Sequence, residues 1–289
     1  MINKVINILL FIPLFVNAQL TNDWINYNQN YFKFPIAEDG IYRINFQQLV
    51  NAGLNISTLD PRNFQIFAKG EEIPIYIQGE SDGSFDYNDF IEFYAEKNTG
   101  WYDHVLFSDS AHVLNPYISM FTDTLYHFLT WNSSTNNFRM KDEVDLNFNS
   151  FTPSKYFWSE FISMTNLGFS YGYKTHLGKP VPEYSEGEGW YSSILYANHQ
   201  ARPVVSTPHA YKSGPDGWVK LEMVGLTLDD RLINVFVNDN KIYDDNLSNN
   251  ANVYLEEKIP AESWEDISTF TIKNIADEYD SGDVTGIAY

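Results

Sequence analysis

A chain of 289 residues with no cysteine and a formal net charge of −20 argues against several functions at once. Thiolate attack and disulfide bonding both need a thiol, and a surface this acidic repels nucleic-acid phosphates and anionic lipid headgroups. With 20 Tyr, 21 Phe and 17% aromatics, the composition favours strands and turns over helices.

The first residues read as an export signal. Residues 1–4 carry one positive charge, on Lys4, and 5–16 are apolar apart from Asn7. That run is too short to span a bilayer. Val16-Asn17-Ala18 places small residues at the −3 and −1 positions of a cleavage site, so 1–18 is expected to be a signal peptide and Gln19 the mature start. Loss of Lys4 takes the net charge from −20 to −21. No later stretch approaches 18 apolar residues, so no transmembrane helix is expected.

A first β domain is expected over 19–131. Tyr31-Phe32-Lys33-Phe34-Pro35-Ile36 reads as a strand, Glu38-Asp39-Gly40 as a turn, and Ile41-Tyr42-Arg43-Ile44 as its return. Asn45 then caps a short helix over 46–52, closed by Gly53. Phe64-Gln65-Ile66-Phe67-Ala68, a Lys69-Gly70 turn and Ile73-Pro74-Ile75-Tyr76-Ile77 form an expected hairpin. Pro74 lacks an N–H, which puts that second arm at a sheet edge. Residues 90–94 and 125–131 read as further strands.

Residues 132–155 are polar and poorly periodic, and read as a linker or long connection. A second domain over 156–289 is expected to be a jelly-roll-like sandwich. Its first stretch, 156–161, reads as a short helix or a strand, and the Gly/Tyr-rich 168–189 as irregular. Val219, Leu221 and Met223 alternate with Lys220 and Glu222 as in a half-buried strand. Ile233, Val235 and Val237 lead through Asn238-Asp239-Asn240 into Lys241-Ile242-Tyr243, a hairpin by pattern. Residues 269–273 read as a strand and 277–283 as a polar loop. Residues 284–289 start another strand-like run that stops without a polar tail, as expected of a fragment of a longer polypeptide.

Four features invite a chemical reading. Gly168-Phe169-Ser170-Tyr171-Gly172 matches the G-x-S-x-G nucleophile elbow, but no apolar strand precedes it and no helix follows, which favours a Gly/aromatic loop. Asp82-Gly83-Ser84-Phe85-Asp86-Tyr87-Asn88-Asp89 clusters carboxylates as calcium loops do, without the calcium-loop spacing; an Asx-rich turn is the default. His104, His112, His127, His176, His199 and His209 have no zinc-binding spacing. Glu186 and Glu188 are a carboxylate pair in one Gly-rich loop, where a solvated acidic turn outweighs a glycosidase pair. No catalytic, cofactor-binding or metal residue is therefore assigned, and no cofactor is expected.

A series of short blocks carries a family resemblance. They are Glu38-Asp39-Gly40-Ile41-Tyr42-Arg43, Asp60-Pro61-Arg62-Asn63-Phe64-Gln65-Ile66-Phe67, and Gly79-Glu80-Ser81-Asp82-Gly83-Ser84-Phe85-Asp86 with Phe90-Ile91-Glu92-Phe93-Tyr94. Asn115-Pro116-Tyr117, Phe121-Thr122-Asp123-Thr124, Phe128-Leu129-Thr130-Trp131 and Glu186-Gly187-Glu188-Gly189-Trp190 complete the series. Over most of 24–190 their order and spacing resemble the N-terminal part of the gingipain-like sortases of the Bacteroidota type IX secretion system. The resemblance implies an exported protein at the outer membrane or cell surface. It also implies a downstream caspase-like cysteine peptidase or transpeptidase domain as partner, with other outer-membrane secretion components. That domain would cleave C-terminal sorting signals and attach cargo through a His and a Cys. Neither motif matches here, so this portion is expected to be non-catalytic. The alternative is a stand-alone secreted β-sandwich module binding glycans or proteins, with Trp101, Tyr102, Trp190 and Tyr191 as loop aromatics.

Overall fold

The computed structural model describes residues 22–144, 146–164, 166–275 and 284–289. The expected signal peptide at 1–18 and the polar run at 277–283 lie outside the described residues. The fold is all-β, as the composition predicted, with one α-helix among the described residues. It divides into two compact units: the described part of Met1–Glu96 with Leu125–Asp142, and Lys97–Thr124 with the described part of Glu143–Tyr289.

The first unit holds β1 (Phe32–Ile36), β2 (Gly40–Asn45), β3 (Phe64–Ala68), β4 (Glu71–Ile73), β5 (Tyr76–Gln78), β6 (Phe90–Ala95) and β7 (Leu125–Trp131). They form two antiparallel sheets, β1-β7-β3-β4 and β2-β6-β5. The expected β1–β2 hairpin does not form. Phe34 pairs with His127 on β7, while Tyr42 pairs with Phe93 on β6. A hairpin would set Phe34 and Tyr42 on one face. The switch of sheets instead brings Phe34 across the core onto Phe93, with ring centroids 5.7 Å apart.

Pro74 acts in the same way. The expected second arm over 73–77 splits there, β4 staying with β3 and β5 crossing to β6. Proline cannot donate to a ladder, and the two pieces it separates are both edge strands. The helix Phe46–Asn51 is as expected: Asn45 Oδ1 accepts from the Gln48 N–H and Gln48 Oε1 from the Asn45 N–H, a capping box. Gly53, at φ +87°, reverses the chain after it. Residues 132–142, read from sequence as the start of a connection, are pinned to this unit by Arg139. Its guanidinium bonds Glu80 at 2.8 Å and donates to the carbonyls of Pro61, Arg62 and Phe64.

The second unit holds β8 (Gly168–Tyr171), β9 (Glu188–Tyr191), β10 (Ser193–Tyr196), β11 (Gln200–Ala201), β12 (Val204–Ser206), β13 (Gly217–Gly225), β14 (Arg231–Val237), β15 (Asn240–Leu247), β16 (Asn252–Ile259), β17 (Ile267–Ile275) and β18 (Val284–Ile287). Strands β10-β18-β13-β16 form one sheet and β11-β17-β14-β15 the other, with β12 also on β17. If β11 and β12 count as one interrupted strand, eight strands are wound between two sheets in jelly-roll order. Leu195, Leu221, Met223, Ile233, Val235, Leu247, Leu255, Ile272 and Ile287 fill the space between the sheets. The β14–β15 hairpin turns on Asn238 and Asp239, at φ 45° and 68°, the conformation that a type I′ turn demands.

Two expectations fail in this unit. Residues 156–161 form neither helix nor strand. The stretch 168–189 is irregular only in its middle, because β8 and β9 pair across it, with Phe169 edge-on to Trp190 at 5.1 Å.

Candidate functional site

The sequence candidates disperse in the structure. Ser170 lies buried in β8, opposite Gly189, and its Oγ accepts from the Gly172 N–H. An antiparallel hairpin is not the strand-to-helix turn that an elbow serine needs. In the first unit, Asp82 accepts from the Ser84 N–H and Asp89 from the Asp86 N–H. These carboxylates serve their own turn, and no group of three His, Asp or Glu suited to a metal occurs among the described residues. His127 is buried between Phe34 and Phe93, and burial lowers its pKa. Trp190 and Tyr191 lie on a strand rather than in a loop, and the Trp190 indole donates to the Ser119 carbonyl. Trp101 packs on Tyr102.

Two of the sequence blocks meet in the second unit. Asn115 Nδ2 donates to the Trp190 and Ala288 carbonyls, and a Cβ added to Gly189, at φ +146°, would stand 3.1 Å from the Leu114 Cβ, tighter than an ordinary contact. Glu186 and Glu188 diverge: Glu188 accepts from the Ser185 N–H, Glu186 from the Asn252 N–H.

Glu186 leads to a group hidden from sequence reading. Glu222 alternates with inward apolar residues on β13 and should face water, yet it is only 3% exposed. Its carboxylate accepts from Asn252 Nδ2, and its backbone pairs with Ala288 and Tyr289. Burial pushes the Glu222 carboxyl up to about 7, and the neighbouring Glu186 charge adds to the rise against the Asn252 bond. Burial first, and then the Glu222 charge, raises the Tyr289 phenol.

On the opposite sheet the outer face carries a cleft of about 190 Å³ lined by Gln200, Arg202, Phe236, Asp239, Thr271 and Lys273. Its floor follows from register. Gln200, Lys273, Asn234 and Asp244 lie in one cross-strand row, with Thr271, Phe236 and Lys241 in the next. Ile272, Ile233 and Val235 point into the core, so the alternate side chains face out. Lys273 Nζ stands over the Phe236 ring at 4.8 Å.

No family model and no curated protein sequence matches the chain. Among solved structures it is similar to dimeric latent PorU from Porphyromonas gingivalis, at 12% identity and a TM-score of 0.47, over 89% of this chain and 23% of that one. The chain thus spans less than a quarter of the PorU chain. It is also similar to the CBM36-1 domain of a multidomain xylanase from the hindgut metagenome of Trinervitermes trinervoides, at 9% identity and a TM-score of 0.26, over 33% of this chain and 72% of that domain. A carbohydrate-binding module CBM36 in complex with calcium and xylotriose matches at 10% identity and a TM-score of 0.26, over 42% and 87%. No helix among the described residues is long and apolar enough to cross a membrane.

Proposed function

We propose that this chain is the non-catalytic leading region of an exported gingipain-like sortase of the type IX secretion system. In this reading it acts at the outer membrane or cell surface, and its partner is a cysteine peptidase domain further along the same polypeptide. The observation that carries the reading is a strap of uncovered aromatics. Phe148, Phe151, Phe157, Trp158 and Phe161 are all exposed in a stretch without strands or α-helix, Phe157 to 87%. Large apolar side chains exposed within one stretch of chain support the reading that another domain covers them. The series of sequence blocks supports the family, and a chain without cysteine cannot itself carry out thiolate attack.

The test is oxidative footprinting of Trp158 in the isolated chain and in the native protein purified from the cell envelope. The reading expects strong labelling in isolation and at least a several-fold drop in the native protein. Equal labelling in both would refute the coverage that the reading requires.

A further inference from the structure

We infer that the outer-face cleft of the jelly roll is a binding site for an anionic saccharide, a sugar chain bearing carboxylates. This holds whether the chain stands alone or leads a longer polypeptide. In a protein of net charge −20 the cleft sets Arg202 and Lys273 together, with no ion pair to either among the described residues. Phe236 holds the Lys273 ammonium by its ring face, and Arg202 is exposed. A planar fork beside a point charge suits a carboxylate, which the fork engages through two parallel hydrogen bonds.

The remaining lining decides the class. Asp239 presents a carboxylate at the turn and Gln200 an amide, while Thr271, largely buried, lines the floor. A ligand made only of negative charge would be repelled by Asp239. One that also carries hydroxyl groups gives Asp239 donors to accept from, while the Gln200 amide can both donate and accept. Carboxylate and hydroxyls on one ring are the chemistry of a uronic acid. At 0.15 M salt the Debye length of about 8 Å screens the acidic surface beyond the cleft, so local charge governs capture.

The experiment is affinity electrophoresis of the full chain in gels containing polygalacturonate, neutral xylan or neutral dextran. The Arg202→Ala/Lys273→Ala double variant runs alongside, with circular dichroism confirming its fold. Both side chains lie outside the core, so the variant is expected to fold. Polygalacturonate should retard the wild type, the neutral polymers should not, and the double variant should bind at least tenfold more weakly. Three results would overturn the inference: no retardation by polygalacturonate, equal retardation by neutral xylan, or unchanged binding by the folded variant.

Discussion

Replacing Glu222 with Gln isolates the free-energy cost of a buried carboxylate. The folded chain holds the Glu222 proton up to a pH of about 7, whereas an unperturbed glutamate releases it near 4.5. Between those values the folded state binds more protons than the unfolded state. The stability associated with this group is therefore fully present below 4.5 and is lost as pH rises towards 7. A shift from 4.5 to about 7, at 1.36 kcal/mol per pH unit, amounts to about 3 kcal/mol. Gln is neutral throughout and keeps a side-chain oxygen for the Asn252 amide. Urea unfolding of both proteins from pH 4.5 to 8.5 reads the difference, with every other titration common to the two. The curves should coincide near pH 4.5 and diverge above it until the variant is the more stable by about 3 kcal/mol. With m of about 2–3 kcal/mol/M, that is a midpoint shift of about 1 M. A constant offset at every pH, or a variant that loses ground as pH rises, would refute the reasoning.

Ile233→Ala removes a fully buried side chain from between the two jelly-roll sheets. It should cost about 2–5 kcal/mol in urea unfolding of the second unit, and a loss under 1 kcal/mol would mean that the sandwich core is misplaced. Asn45→Ala deletes one half of the capping box of the first unit's helix and should cost about 1 kcal/mol. Asn45→Asp should restore most of that stability by thermal melting, because the carboxylate can still accept from the Gln48 N–H.

The sequence showed which segments are strands more clearly than which strands pair. The strands signalled by alternation at 219–223 and 233–237, the Asn238-Asp239 turn and the Asn45 cap are local features, and each forms where expected, although Glu222 and Asn234 are buried. Pairing is long-range. Nothing in residues 36–40 shows that the chain leaves one sheet for another, since an apolar face has the same spacing in either. Pro74 signalled an edge but not that the chain crosses there. The β8–β9 hairpin was hidden because its two strands are four residues each and the stretch between them is rich in glycine. Glu222 looked solvent-facing because what buries it comes from Ala288 and Tyr289, the loop at Glu186 and a neighbouring strand. The cleft likewise draws on β11, its following loop, β14, a turn and β17, and no single window of sequence contains it.

The most direct test of the leading-region reading is the extent of the native polypeptide, read from the gene past the codon for Tyr289. A frame that runs on into a parallel α/β domain containing a His and a Cys is the predicted result. A stop codon immediately after Tyr289 would contradict it.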